Sequence, residues 1–334
     1  MKKVLTNTRV LCDGMKGQNY WFNGCMEYLM ECLGEDLTKY YYWFFSNITG
    51  DSLMQLYCKD SQKEIFCPSN NVFDQNFAQK AFNACGYDFE YIHGIDDSSR
   101  DDYLAKIKQS IDNRIPVLCR GLTEPGPEFC CICGYDDNDL LYLVCEKDSP
   151  VVYPNQFTEL IFVGERKERP PLNEVYRKTV LDIPSYLTRP STEEYSFGKQ
   201  AFIDWAESFQ NGTFDTIPAN EINVWNVHGT YLCMAVTNGC AEHFLKNALE
   251  RNPEMTFIHD LLPLYEKHQA VFHDLAYRDA SGKIDYQNGG MQGGFNIKPE
   301  TIKNRQLMKP VSDKIMESAE ICDEILAVFR CIEA

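Results

Sequence analysis

The chain reads as an α+β protein, with helices and an antiparallel sheet in its first half and an all-helical second half. Three observations carry this. Apolar residues at helical spacing, closed by glycines, fill much of the chain before Ile115. Four short apolar runs separated by turn residues then follow: "IPVLC", "FCCIC", "LLYLVC" and "ELIFVG". From Ser191 onward the helical period returns and persists to the end. At 334 residues the chain exceeds the size at which single cores stop growing, so two domains are expected. The charged, proline-bearing stretch from Glu165 to about Pro190 marks the boundary, giving 1–165 as the first domain, 166–190 as a linker and 191–334 as the helical domain.

In chain order, "NGCMEYLMECLG" places Cys25, Tyr28, Leu29, Cys32 and Leu33 on one helical face and stops at Gly34. "FDQNFAQKAFNACGYD" repeats the signature, with Phe73, Phe77, Ala81, Phe82 and Cys85 ahead of Gly86. In "DDYLAKIKQSIDNR", Leu104, Ile107 and Ile111 share a face behind Ser98 and Ser99 as caps. The four apolar runs read as strands of a buried sheet, the middle two joined as a hairpin through "GYDDND". Beyond the linker, Ser191 and Glu194 form a capping-box pattern, and Phe197, Ala201, Trp205 and Phe209 recur every four residues. A last helix from Val311 carries Ile315, Ala319, Cys322, Ile325, Leu326 and Phe329. "NGGMQGGFNI" lacks a phosphate-loop lysine and reads as a surface loop.

With 32 basic and 49 acidic residues the formal charge is -17, a field that repels phosphate backbones and anionic lipid and suits a cationic ligand. Neither nucleic acid nor membrane is expected as a partner. The N-terminus lacks the apolar core of a signal peptide, and no run approaches the roughly 18 apolar residues of a membrane span. A cytoplasmic location follows, in which the 15 cysteines stay mostly reduced.

"EFCCICGYDD" draws the eye first. A strand alternates its faces, so Cys131 and Cys133 point one way and Cys130 the other. Residues three apart on a strand cannot close on one ion, and no second Cys-x-x-Cys knuckle exists; the three read as buried small hydrophobes rather than a metal site or redox pair. Cys25 differs. It follows Asn23 and Gly24 at a predicted helix start, where unpaired N–H groups and the helix dipole favour thiolate. Gln18, just upstream, offers a side-chain amide for an oxyanion. A plain core thiol remains the competing reading.

Glutamine, a small residue and cysteine at a helix start, then "IPVLC", then a strand ending in "GYDD" and a further strand, resemble the papain-like fold. The closer similarity is to the bacteriocin-leader-peptidase-like family of the butirosin-biosynthesis protein H N-terminal domain, covering residues 8 to about 165, with the helical remainder resembling that family's C-terminal region. The resemblance implies a cysteine nucleophile at Cys25, an oxyanion residue at Gln18, a histidine where Glu128 stands, and an orienting Asp or Asn near Cys145 or Glu146. It also implies peptidase or acyl-transfer chemistry on a small molecule or peptide, with an acyl carrier protein as donor in the latter case and no cofactor. Trp21 and Asn23 beside the cysteine, and Trp225 with His228 in the helical half, are the candidate substrate contacts. The other late histidines, His243, His259, His268 and His273, are expected on solvated helical faces.

Glu128 departs from the family pattern. A carboxylate near pKa 4.3 is a poor base toward a thiol near 8.5, and its charge raises the thiol further. Three readings therefore stand: acyl transfer or hydrolysis through Cys25, a catalytically silent module binding a small ligand or peptide, and an interaction protein built on the helical half.

Overall fold

The computed structural model describes residues 2–333 except 64–67, 69, 123–127, 146, 155 and 278–292. They divide into two compact units, Met1–Thr49 with Pro68–Leu172, and Gly50–Cys67 with Asn173–Ala334. In chain order the first stretch holds strand β1 (Lys2–Val4), helices α1 (Trp21–Cys32) and α2 (Tyr42–Thr49), and strand β2 (Leu56–Cys58). Helices α3 (Asn70–Phe73) and α4 (Phe77–Cys85), strand β3 (Tyr87–Ile92) and helix α5 (Leu104–Asp112) follow. Strands β4 (Val117–Arg120), β5 (Cys130–Asp136), β6 (Asp139–Leu143), β7 (Val151–Val152) and β8 (Glu159–Arg166) complete the sheet. All four apolar runs are strands, and β5 and β6 pair across the expected turn, with Asp137 at φ 53°.

The first unit is mixed α and β. Its antiparallel sheet runs β3-β8-β4-β5-β6-β7, with β1 attached to β5. Strand β5 is the pivot. On one edge β4 pairs its first half, Cys130–Ile132, and β1 pairs its second half, Gly134–Asp136. On the other edge β6 runs along its length, with a register shift between Ile132 and Gly134 that leaves Cys133 unmatched. The helix expected over Phe73–Cys85 is two helices, because Asp74 turns its carboxylate onto the Asn76 N–H at 2.8 Å and ends the first turn there. Gly86 caps the second at φ 71°, as a C-terminal glycine should. Ser98 and Ser99 do not cap α5; both hydrogen-bond Asp96 in a separate turn, and a short 3-10 turn leads into the helix.

The stretch 166–190, expected as a linker, is largely helical: α6 (Leu172–Leu181) and α7 (Ile183–Leu187) occupy most of it. Its charged residues form the outer faces of helices whose inner residues, Tyr176, Val180, Ile183 and Leu187, are buried. The second unit continues with strand β9 (Tyr195–Phe197) and helices α8 (Gly198–Ser208), α9 (Thr230–Asn238), α10 (Glu242–Arg251), α11 (Ile258–Tyr277), α12 (Pro299–Lys303) and α13 (Arg305–Glu333). It is therefore not all helical. Segment β9 pairs antiparallel with β2, drawing Gly50–Cys67 into this unit and replacing the expected capping box at Ser191 and Glu194. The chain leaves the strand at Gly198, φ 56°, whose N–H donates to the Gln55 carbonyl at 2.8 Å. The final helix begins before Val311 and carries Pro310 inside, with Ile315, Ala319, Cys322, Ile325 and Phe329 buried.

Gly134 sits where β1 meets β5, and a Cβ there would lie 2.5 Å from the Lys3 carbonyl oxygen. Gly134→Ala is expected to push β1 off the sheet and cost about 1–3 kcal/mol, read as a shift in the denaturant midpoint with unchanged slope.

Candidate functional site

The start of α1 is held by the Tyr20 N–H, which donates to the Tyr42 hydroxyl at 2.9 Å. Phe22 packs edge-on to Phe77 and Phe129 at 4.6 and 5.3 Å, tying the helix to α4 and to the residue before β5. Gly24 permits the closest approach: a Cβ there would fall 2.1 Å from the Leu11 carbonyl oxygen and 2.7 Å from Cys12 Sγ. The next residue is Cys25. It is the fifth residue of α1 rather than part of its first turn, and it is 0% exposed. It is thus past the end where free N–H groups and dipole act most strongly on a thiol.

Its neighbours are other thiols. Cys131 lies against it, its Sγ 3.9 Å from the Cys25 carbonyl oxygen. Burial, the dominant effect, raises the Cys25 pKa above the ordinary thiol value; the Cys131 contact opposes it, and negative charge at Cys130, Cys12 and Glu128 adds to it. Glu128 is half-buried immediately before Phe129 and close enough for its charge to reach Cys25. The sign is the one expected of a carboxylate beside a thiol: it holds the proton on. Cys131 and Cys133 both act on the Tyr28 phenol of α1, as the alternation of β5 requires, and Cys130, Cys131 and Cys133 are all buried free thiols.

The remaining first-unit candidates fall into different settings. Gln18 is half-buried, and its Oε1 accepts from the Asp13 N–H at 2.8 Å, which orients the amide and leaves Nε2 as the donor end. Asn23 is fully buried; its Oδ1 accepts from the Thr49 hydroxyl and from Asn70 Nδ2, each at 3.4 Å. That places it in a polar core contact between α1, α2 and α3. Trp21 is half-buried at the first position of α1. Cys145 is buried in the turn after β6, and burial together with the nearby Cys12 thiol puts its pKa well above the ordinary value. Glu146 lies outside the described residues. The unit contains one histidine, His93, which is exposed, stacks on Tyr91 at 3.8 Å and lies 3.7 Å from Glu159.

In the second unit His228 occupies a π-helical turn, Trp225–Gly229, and is fully buried between Trp205 and Phe209 at 5.4 and 5.6 Å. Its Nε2 hydrogen-bonds the Gly293 carbonyl, which fixes the proton on Nε2 and leaves Nδ1 without a partner among the described residues. Trp225, 48% exposed, stands at the same turn beside Phe295. His268 corrects an expectation: it is buried rather than solvated, wedged between Phe202 and Phe272, with neither ring nitrogen bonded. The helical period alone could not find it, because α11 is covered on more than one side. Among the described residues no group of three or more His, Cys, Asp or Glu is arranged to hold a metal ion.

Fold and site together define a two-unit α/β protein whose first unit buries a thiol cluster beside a glutamate. No protein-family model matches the chain, and no curated protein matches its sequence.

Burial lowers His228 to about 4 and His268 to about 3, from an ordinary 6.5. Below pH 6.5 the unfolded chain binds protons that the folded chain refuses, so stability is full above 6.5 and falls as pH drops toward 4. His268→Leu is expected to remove about 2.5 kcal/mol of this acid sensitivity between pH 7 and pH 4.5, measured as urea midpoints at the two pH values.

Proposed function

We propose that the first unit is a papain-like module that binds a small or peptide ligand carrying a cationic group and does not turn it over. One observation carries this reading: Cys25 is completely buried, among thiols and beside Glu128, with no histidine among the described groups that act most on it. A cysteine nucleophile needs its proton removed, by a base near neutral pKa or by positive charge. Among the described residues, the charged or chargeable groups that act most on Cys25, namely Cys131, Cys130, Cys12 and Glu128, are all acidic. The same glutamate that handicaps a thiolate suits an ammonium or guanidinium, and the -17 net charge favours delivery of such a ligand. The papain-like assignment rests on the resemblance together with a cysteine-bearing helix packed on the strand that leads into Gly134, Tyr135 and Asp136.

The acyl-transfer reading keeps one supporting feature, the Gln18 amide oriented by Asp13 a few residues ahead of Cys25. A thioester substrate suits it best, because a thiolate leaves without a general acid. An acyl carrier protein is the partner that chemistry requires.

Iodoacetamide labelling of the native protein at neutral pH separates the two. Exposed Cys331 is expected to label first, and Cys25 only after denaturation; labelling of Cys25 ahead of Cys331 would reinstate the nucleophile. In calorimetry with putrescine and a lysine-containing peptide, Glu128→Gln is expected to weaken binding roughly tenfold or more, the worth of a charge-assisted hydrogen bond. Cys25→Ala should leave that affinity unchanged, and equal losses in both variants would count against the binding reading.

A further inference from the structure

Six thiols of the first unit form one buried network. Cys12 acts electrostatically on Cys145, Cys131 Sγ contacts the Cys25 carbonyl oxygen, and Cys119 Sγ faces Cys130 Sγ. Electrostatic contacts link the three pairs through Cys25 and Cys130. Only in one of them does the backbone itself hold the sulfurs together. Cys119 on β4 and Cys130 on β5 are direct register partners, and their Sγ atoms lie 3.2 Å apart.

We propose that Cys119 and Cys130 are a reversible cross-strand disulfide site. A disulfide bond is about 2.05 Å long, so closure requires the sulfurs to approach by a little over 1 Å. Small side-chain rotations supply that movement, since the two residues are already opposite one another on paired strands. Cys130 and Cys133, the pair that the spacing suggests, lie on opposite faces of β5 and cannot meet. The oxidant is a small-molecule disulfide. One protein thiolate attacks it, breaking its S–S bond, forming a mixed disulfide and releasing one thiolate. The second cysteine gives its proton to solvent and attacks the protein sulfur of that mixed disulfide, releasing the second. Two protein thiols and one reagent disulfide become one protein disulfide and two reagent thiols, with two electrons passing to the reagent.

Burial sets the rate of this exchange. Cys119 is fully buried, and burial holds its pKa well above the ordinary thiol value, so exchange waits on opening of the β4–β5 edge. Bond formation would staple that edge two residues from Glu128.

The test uses the full chain, reduced, freed of reductant and incubated without oxygen in oxidised glutathione, with an untreated control. Remaining thiols are alkylated in denaturant and the digest is mapped without reduction. Trypsin cuts at Arg120, between the two cysteines, so the bond joins the peptide 115–120 to the peptide 121–147. The expected result is that linked pair, assigned by fragmentation to Cys130 rather than Cys131, Cys133 or Cys145, absent after dithiothreitol and absent in Cys119→Ser and Cys130→Ser. Recovery of Cys119 as alkylated peptide after incubation that oxidises other thiols would overturn the proposal. So would its linkage to any cysteine other than Cys130.

Discussion

The first unit depends on a dry contact between α1 and β5. Gly24 lets the helix backbone approach the Leu11–Cys12 segment so closely that no larger residue fits. One residue on, the Cys25 carbonyl meets Cys131 Sγ, and a turn later the Tyr28 phenol comes under the electrostatic influence of Cys131 and Cys133. Small, weakly polar thiols fill this seam in place of branched aliphatics, and the described groups that act most on Cys25 carry no positive charge. The same strand is held by β4 and β1 on one edge and β6 on the other, so a displacement of β5 disturbs most of the sheet. Structure and chemistry are therefore coupled: the packing that positions Cys25 also keeps it protonated.

At Glu35 of this unit burial of charge is compensated. Burial by itself would raise the Glu35 pKa, yet hydrogen bonds from Tyr87 and Arg169 and the charges of Arg169 and Arg166 lower it. That cluster joins the loop after α1 to β3 and to the chain leaving β8. Asn23, Thr49 and Asn70 likewise satisfy one another within the core. At Cys25 the Cys131 contact opposes burial without outweighing it. In the second unit the buried imidazoles of His228 and His268 are tolerated because they stay neutral, their aromatic neighbours supplying packing and no charge.

Local structure was legible wherever a residue acts on its own backbone. The apolar runs became strands because β-branched and aromatic residues between turn signals have few alternatives, and Gly34 and Gly86 ended helices by adopting positive φ. The reading failed where a distant partner intervened. Phe197 continues a helical stripe in sequence, but pairing with Leu56 makes it a strand residue. His268 sits on a polar-looking face that Phe202 happens to cover. Asn23 looked like a ligand contact because the residues that satisfy it, Thr49 and Asn70, are remote in the chain.

By itself, then, the sequence determined the mixed α and β character, the four runs of the sheet, the inward alternation of the cysteines on β5, and the presence of a carboxylate at position 128 just ahead of them. These follow from local sterics and from side-chain chemistry, which travel with each residue. Only the tertiary structure decided that Cys25 is sealed, that Cys119 rather than Cys133 faces Cys130, and that Gly50–Cys67 belongs with the second unit. Each of those is a matter of which remote surface excludes water from a given atom, and no periodicity in one stretch of chain records the identity of its partner.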